Sequence, residues 1–179
     1  MRPVEYMVKH LPKVWIRDSW FCLWYTGAYL LKQFIMIAVS EETCLITRFM
    51  FSAAHRVRFS PVYGNLHGHN YDVTIKVCVE GRRDLVLDID VLRSRLQPVI
   101  SSMEGKYLKA PGEAAQGLAQ GEFVEVPCFS NGVTSECLAW YLLDRALGIV
   151  ESVGVKPLGV YVTVCDSPIN CFEARLKSS

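Results

Sequence analysis

Three histidines lie close together in the chain and have the spacing of a metal site. They are His55, His67 and His69, three of the four histidines in the 179-residue sequence. Side chains two residues apart in an extended segment point to the same face, so His67 and His69 would present both imidazoles to one point. A neighbouring strand that ends at His55 would supply the third. Three neutral imidazoles with one vacant position are typical of catalytic zinc. The alternatives are chance clustering in a loop and histidines packed singly in a core.

Length and composition indicate one domain with a hydrophobic core. The 179 residues are 51% hydrophobic and 21% charged, so a substantial core can form and disorder is not expected. The 19 Lys and Arg residues nearly balance the 18 Asp and Glu residues, which gives a formal net charge of +1. This balance leaves no basic excess to bind nucleic acid, so no nucleic-acid partner is expected.

The seven cysteines form no CxxC pair. Their odd number and irregular spacing predict buried or free thiols in a reducing compartment, and hence a cytoplasmic protein. Cys165 and Cys171 are close enough in sequence to approach each other across a turn, although sequence alone does not show a bond. Cys128 is predicted to be a buried structural cysteine, with a relocated reactive thiol as the alternative.

Residues 1–40 form an N-terminal apolar extension that precedes a domain spanning 41–179. The segment 20–39 is strongly apolar, but Lys32 and Gln33 divide it into runs shorter than the roughly 18 residues of a spanning helix. It also lacks the features of a cleaved signal peptide. Three interpretations stay open: a membrane-associated helix, an extra helix packed on the domain or a partner, and a mis-assigned start with Met36 as the true first residue. No membrane contact is expected for 41–179.

Four strands are predicted beyond the extension. β-Branched and aromatic residues or apolar–polar alternation mark each of them. They span 44–53, 71–80, 158–164 and 171–176. The second strand is followed by a hairpin-like turn into 85–89.

Two helices are predicted between the two pairs of strands. Asp90 is expected to be the N-cap of the first helix, which runs to about Met103 with a kink or break at Pro98. A Gly-, Ala- and Gln-rich surface loop is predicted over 105–121. The second helix spans about 134–150. The residues on its predicted buried face are Leu138, Leu142, Ala146 and Ile149. The order ββααββ predicts an α+β domain with an antiparallel sheet and both helices on one face.

Five segments carry a resemblance to a known family: FSAAH, HGHNY, LVLDIDVL, TSECLAWYLLDRAL and VTVCDSP. Over roughly 41–176 the chain resembles the 6-pyruvoyl-tetrahydropterin synthase and 6-carboxy-tetrahydropterin synthase (QueD) family, of pterin and queuosine biosynthesis. The resemblance implies the tunnelling fold, or T-fold, in which subunits join their sheets into an oligomeric barrel. It also implies a homo-trimer or homo-hexamer, active sites at subunit interfaces, and a dihydropterin substrate, usually 7,8-dihydroneopterin triphosphate.

The resemblance also implies roles for individual residues. The three histidines would be the zinc ligands. Asp166 takes the position of the glutamate that anchors the pterin, and a carboxylate suits this role because it accepts two N–H donors. A turn residue with a local hydrogen bond is the alternative for Asp166. Thr134 and Ser135 match the hydroxyl residues that hold the pterin ring, and helix N-capping is a compatible alternative.

The chain departs from the family where the acid–base groups are expected. Residues 56–66 contain no Cys, Asp, Glu or His, although family members place a cysteine or sometimes a glutamate before HGH. Tyr63 stands at that cysteine's position, and zinc or the neighbouring Arg56 and Arg58 would have to lower its pKa. Glu104 and Gly105 replace the family's Asp-His pair. Tyr63 and Glu104, the latter across an interface, are therefore the candidate proton-transfer residues. The alternatives are a packing aromatic and a solvated helix-end carboxylate.

Two classes of function are compatible with a retained metal site and missing acid–base residues. The first is a zinc-dependent carbon–oxygen or carbon–carbon lyase acting on the side chain of a dihydropterin, with zinc as Lewis acid. The second is a non-catalytic zinc- and pterin-binding paralogue, or an assembly partner of an active subunit. The fold alone does not decide between them, because function depends on the site.

Overall fold

The structure is a computed structural model that describes residues 41–58, 60–114, 121–128 and 132–178. The N-terminal extension, including Met36, lies outside the described residues, so its three interpretations remain predictions. In the described part of the chain, no helix combines the length and the apolar character needed to cross a membrane.

The described domain consists of six strands and two helices. In chain order they are β1 (Glu42–His55), β2 (His67–Glu80), α1 (Ile89–Met103), β3 (Lys106–Lys109), β4 (Phe123–Glu125), α2 (Ser135–Ser152), β5 (Gly159–Cys165) and β6 (Cys171–Lys177). The strands form one sheet in the order β4-β3-β1-β2-β5-β6. The predicted α+β class is confirmed.

The two longest strands, β1 and β2, form the centre of the sheet. Each has 14 residues with alternating burial, as expected when only one face of a strand is covered. They pair antiparallel along their whole length, from Glu42 opposite Glu80 to His55 opposite His67. Both strands are longer than the apolar patterns predicted. The additional residues include all three histidines, which lie at one end of the ladder.

Two short strands make the sheet mixed rather than purely antiparallel. β3 pairs parallel to β1, and β4 pairs parallel to β3. Sequence patterns predicted a loop over 105–121, which contains β3, and no strand at 123–125, because four and three residues are too few to show a period of two. Conversely, residues 85–89 form no strand: 85–88 link β2 to α1, and Ile89 is the first residue of α1.

The N-cap of helix α1 lies two residues before the predicted N-cap, and the helix passes through Pro98 without interruption. Asp88 is the N-cap, and its side chain accepts a hydrogen bond from the Asp90 N–H at 2.8 Å. Leu96 and Ile100, on either side of Pro98, are both fully or almost fully buried. Burying such side chains stabilises the helix by about 1.5–3 kcal/mol each, which offsets the roughly 3 kcal/mol cost of an interior proline.

The hydrophobic core lies between the sheet and the two helices. α1 packs on β1, whereas α2 packs on β5 and β6. On α2, Leu138, Leu142 and Ala146 are fully buried as predicted, and Val150 rather than Ile149 completes the buried face. Thr134 is the N-cap of α2, so the predicted start of this helix is confirmed.

Six of the seven cysteines are paired, so the prediction of free thiols is wrong for them. The bonds are Cys44–Cys78, Cys128–Cys137 and Cys165–Cys171. The first and the third join residues directly opposite each other on antiparallel strands. The predicted approach of Cys165 and Cys171 across a turn is confirmed, whereas the Cys44–Cys78 pairing depends on the register of β1 and β2 and was not predicted. The pairing removes the reason for inferring a reducing compartment and excludes Cys128 as a free reactive thiol here. Cys22 lies outside the described residues.

Candidate metal centre

The three histidines meet at one end of the β1–β2 ladder. His55 lies directly opposite His67, and His69 lies opposite Ala53. Opposite residues of an antiparallel pair project to the same face, so all three imidazoles share one side of the sheet. One ring nitrogen from each histidine lies within 4.8 Å of the other two. The extended segment and the neighbouring strand therefore place these side chains together.

Backbone carbonyls determine which ring nitrogen of each histidine is free. The Nδ1–H of His55 donates to Val133 O. The Nδ1–H of His67 donates to Asn65 O at 2.8 Å, and the Nδ1–H of His69 donates to Asp166 O at 3.1 Å. A carbonyl only accepts hydrogen bonds, so each Nδ1 carries the proton and each Nε2 keeps its lone pair. Hydrogen bonds from the non-ligating nitrogen are what orient histidines in metal sites.

His55 is the most buried member of the cluster, with 3% of its surface exposed. Burial lowers the pKa of His55, and nearby His67 and His69 lower it further, against the raising effect of the hydrogen bond to Val133. A neutral imidazole is the form that binds metals. The Nε2 atom of His55 is buried without a hydrogen-bond partner in the described part of the chain. The three residues therefore fit a metal ion, which would take up this otherwise costly lone pair.

Tyr63 lies beside the histidine cluster. Its ring centroid is 5.6 Å from that of His67, with the two planes tilted by 40°. A short turn holds it there, since the Val57 N–H donates to Tyr63 O at 2.8 Å and the Tyr63 N–H donates to Ser60 Oγ at 2.9 Å. The side chain is 54% exposed, so it is accessible to a molecule bound at the cluster.

Ser135 and Asp166 also meet next to the histidines. The Ser135 hydroxyl, on a residue only 3% exposed, donates to Asp166 Oδ2 at 2.9 Å. The backbone carbonyl of the same aspartate accepts from His69. Thr134 has a different partner, because its hydroxyl accepts from the Cys137 N–H at 3.2 Å and caps α2. Asp166 thus joins the start of α2 to the metal centre.

Glu104 is not brought to the histidines within this chain. Its carboxylate accepts a hydrogen bond from the Ser52 N–H at 3.0 Å, where the end of α1 meets β1. Ser52 precedes His55 by three residues, which is about 10 Å along an extended strand. Within the described residues, Glu104 therefore has a structural partner, and a role at the centre requires a neighbouring subunit.

Sequence patterns missed a buried carboxylate that bonds to Arg56, the residue after His55. Glu113 is 5% exposed and accepts hydrogen bonds from Arg56 Nε at 2.7 Å, from the Tyr107 hydroxyl, and from the Ala110 N–H at 3.0 Å. Burial raises the pKa of Glu113, but the three hydrogen bonds outweigh it and the pKa is lowered. A glutamate in a Gly- and Ala-rich loop gives no sequence signal of burial. Arg56, predicted to act on Tyr63, is anchored to Glu113 instead.

Tyr71 forms the floor of the cluster. It is fully buried, and its ring centroid lies 5.5 Å from that of His69 and 6.1 Å from that of His55. The Phe51 ring stacks on the Tyr71 ring, with the centroids 4.9 Å apart. Burial raises the pKa of Tyr71, and the nearby Asp166 raises it further. The ring therefore stays neutral and supports the two imidazoles by packing.

Two surface cavities adjoin the centre. One of about 700 Å³ is lined by residues including Ala54, His69 and Tyr107. The other, of about 640 Å³, is lined by residues including His69, Asp166 and Cys171. Volumes of this size are typical of small-molecule sites. His69 contributes to both cavities, so a molecule bound in either would lie close to a metal at the centre.

Comparisons with known proteins identify a matching family and similar folds. Residues 44–176 match the family described as 6-pyruvoyl tetrahydropterin synthase. The crystal structure of 6-pyruvoyltetrahydropterin synthase from Plasmodium vivax superposes with a TM-score of 0.65 and 17% identity, over 77% of this chain and 99% of that one. The structure of the Plasmodium falciparum 6-pyruvoyl tetrahydropterin synthase superposes with a TM-score of 0.63 and 16% identity, over 76% of this chain and 99% of that one. The structure of the Caenorhabditis elegans 6-pyruvoyl tetrahydropterin synthase superposes with a TM-score of 0.51 and 20% identity, over 78% of this chain and 97% of that one.

These structural similarities, at low identity, establish the fold, and the predicted tunnelling fold is confirmed. No curated protein matches the sequence. The family match covers most of the chain and includes every strand-borne histidine described above. The chain therefore belongs to the 6-pyruvoyl tetrahydropterin synthase family.

Proposed function

We propose that the chain is a zinc-dependent lyase that acts on the side chain of a dihydropterin of the 7,8-dihydroneopterin triphosphate class. One observation carries the proposal: all three histidines donate Nδ1–H to backbone carbonyls, which leaves the lone pair on Nε2, and one ring nitrogen from each lies within 4.8 Å of the other two. Three neutral imidazoles with an open position suit catalytic zinc. Membership of the family supports pterin-related lyase chemistry in general.

Asp166 and Ser135 would hold the pterin. A carboxylate accepts two parallel N–H donors, which matches the aminopyrimidine edge of a pterin. The Ser135 hydroxyl already bonds to this carboxylate and fixes its orientation. Since Asp166 also bonds to His69, a pterin held by the carboxylate would have its side chain near the metal centre. Thr134 would contribute mainly by fixing the start of α2.

The proton transfers would fall to Tyr63. Zinc, when bound, supplies Lewis acidity to the hydroxyl or ketone groups of the substrate's side chain. Tyr63 is placed against His67, so its hydroxyl would hold and move a proton beside those groups. Glu104 would take part only if a neighbouring subunit brought it to the centre, since its carboxylate bonds to Ser52 within the chain.

A second candidate function is a non-catalytic zinc- and pterin-binding subunit. It is favoured by the position of Glu104 and by Gly105, which stands where the family has a histidine. Such a subunit would keep the histidines, Ser135 and Asp166 but turn over no substrate. It would also act as an assembly partner for an active subunit.

Assembly into a homo-trimer or homo-hexamer is part of the proposal. In the described sheet, β4 and β6 are the two edge strands, and edge strands have backbone groups available to a neighbouring sheet. Light scattering of the purified chain would measure the mass of the assembly directly.

The deciding experiment is turnover of 7,8-dihydroneopterin triphosphate by zinc-loaded protein. A lyase is expected to release a product with an altered side chain, and Tyr63→Phe is expected to remove most of the rate while zinc and pterin still bind. Tight pterin binding without turnover by the natural chain would favour the second candidate. Absence of both binding and turnover would contradict both candidates.

A further inference from the structure

The turn between β5 and β6 is closed by a covalent bond beside the metal centre. Cys165 ends β5, Cys171 begins β6, and the two lie directly opposite each other and form a disulfide. Inside the turn, the Asp166 N–H donates to Asn170 O at 3.2 Å. The disulfide therefore fixes both ends of the short segment that carries Asp166.

Asp166 links this turn to the centre through two hydrogen bonds. Its backbone carbonyl accepts from His69 Nδ1 at 3.1 Å, and its carboxylate accepts from Ser135 Oγ at 2.9 Å. A shift of the turn would therefore move the acceptor that orients His69. Loss of such an orienting hydrogen bond typically weakens metal affinity about 10–100-fold.

The bond is also accessible to reductants. Cys171 is exposed, and both cysteines line the cavity of about 640 Å³ that His69 and Asp166 share. The Cys44–Cys78 disulfide is different, because Cys78 is fully buried and the bond lies near the opposite end of the β1–β2 ladder from the histidines. The chain thus contains one cross-strand disulfide at the centre and a second, matched one far from it.

We propose that the Cys165–Cys171 disulfide positions Asp166, so that its reduction by a dithiol weakens metal binding at the three histidines. This proposal rests on the proposed metal site. A thiolate of the dithiol attacks Sγ of Cys171, the S–S bond breaks, and Cys165 leaves as a thiolate that takes a proton. The second thiolate of the reductant then displaces Cys171, which also takes a proton. Two electrons pass to the protein, and the dithiol ends as its own disulfide.

The first test follows the imidazole N–H groups by NMR in the full, metal-free chain. Four samples are compared: the oxidised chain, the chain after reduction and removal of the dithiol under nitrogen, a Cys165→Ala/Cys171→Ala variant, and a Cys44→Ala/Cys78→Ala control. The Nδ1–H resonance of His69 is expected to be sharp in the oxidised chain and in the control. It is expected to broaden or disappear in the other two, while that of His55 stays unchanged.

The second test measures zinc affinity in the same four samples by competition with a chromogenic chelator. We expect affinity to fall by at least about tenfold in the reduced chain and in the Cys165→Ala/Cys171→Ala variant. The Cys44→Ala/Cys78→Ala control is expected to bind as the oxidised chain does. Dithiol treatment is expected to have no further effect on the Cys165→Ala/Cys171→Ala variant.

Either of two results from these tests would overturn the proposal: an unchanged His69 resonance after reduction, or equal zinc affinity in the oxidised and reduced chains. Peptide mass mapping that finds Cys165 and Cys171 as free thiols in the oxidised protein would also overturn it. Failure of every form to bind zinc would instead overturn the proposed metal site, while the His69 resonance would still decide whether the disulfide positions Asp166. If the Cys165→Ala/Cys171→Ala variant does not fold, the reduced natural chain provides the same comparison.

Discussion

His69 and Asp166 are joined by a hydrogen bond of 3.1 Å although they are 97 positions apart in the chain. The bond runs from a ring nitrogen on β2 to a backbone carbonyl just after β5, two strands that pair in the sheet. It therefore connects one candidate metal ligand to the residue proposed to hold the pterin. Because the acceptor is a backbone atom, the side chain of Asp166 can be changed without removing the bond.

Replacing Asp166 by alanine is expected to weaken pterin binding but not zinc binding. Truncation of a charged hydrogen-bond partner costs about 1.5–3 kcal/mol, which corresponds to a loss of affinity of roughly tenfold or more. The measurement is titration calorimetry with a dihydropterin, with zinc content determined on the same samples. Asp144→Ala, on the exposed side of α2, is the matched control. Unchanged pterin affinity would exclude the proposed anchoring role.

Tyr63→Phe is expected to lower kcat by about 10²–10⁴-fold, the usual contribution of a general acid or base. Zinc and pterin binding should survive, because the change removes only the hydroxyl of an exposed ring beside His67. The comparison is Glu104→Gln, which keeps an acceptor for the Ser52 N–H. A large loss of kcat in that variant instead would assign proton transfer to Glu104 across an interface. Full activity in both variants would show that neither residue is the proton-transfer group.

The Glu113 carboxylate is expected to make the stability of the domain depend on acidic pH. Its folded-state pKa is lowered below the ordinary value of 4.5 by hydrogen bonds that outweigh burial. The stabilisation is therefore fully present above about pH 4.5 and is lost as the pH falls through the lowered folded-state pKa. Glu113→Gln should lose about 1.5–3 kcal/mol of stability at neutral pH and show a smaller decline on acidification.

Denaturant unfolding between pH 3 and pH 7 would measure this effect, with the exposed Glu151→Gln as the control. The control should follow the natural chain at every pH. Parallel pH profiles for the natural chain and Glu113→Gln would show that the Glu113 carboxylate and its hydrogen bonds are not the cause of the pH dependence.

A chain that begins at Met36 is expected to fold and assemble as the full chain does. The reason is that all the described strands and helices begin after residue 41. Circular dichroism and light scattering would compare the two forms, and the intact mass of the native protein would give its true start. Peptides from 20–32 in native material would rule out Met36 as the start.

The long elements and the histidine cluster could be predicted because their signals are local. β1, β2 and α2 each run for 14 residues or more, enough for burial to show as a period in the sequence. Prediction of the histidine cluster required only two histidines two positions apart at the start of one strand and a third histidine at the end of the neighbouring strand. These features depend on residues close in sequence, or on one strand pairing.

The features that sequence patterns missed depend on contacts between distant segments. The four-residue strand β3 is set by its pairing with β1, beginning where the Gly105 N–H donates to Ser52 O at 2.7 Å. The Cys44–Cys78 disulfide depends on the register of β1 and β2, and the buried carboxylate of Glu113 bonds to Arg56, which lies 57 positions away. No local period marks such contacts, so only the folded arrangement shows them.

The metal content of the purified protein tests the central claim most directly. The natural chain, after dialysis against zinc-free buffer, is expected to retain about one zinc per chain, bound through the three free Nε2 atoms. A His67→Ala/His69→Ala variant is expected to retain almost none while keeping its secondary structure. Full zinc content in that double variant, or none in the natural chain, would contradict a three-histidine zinc centre.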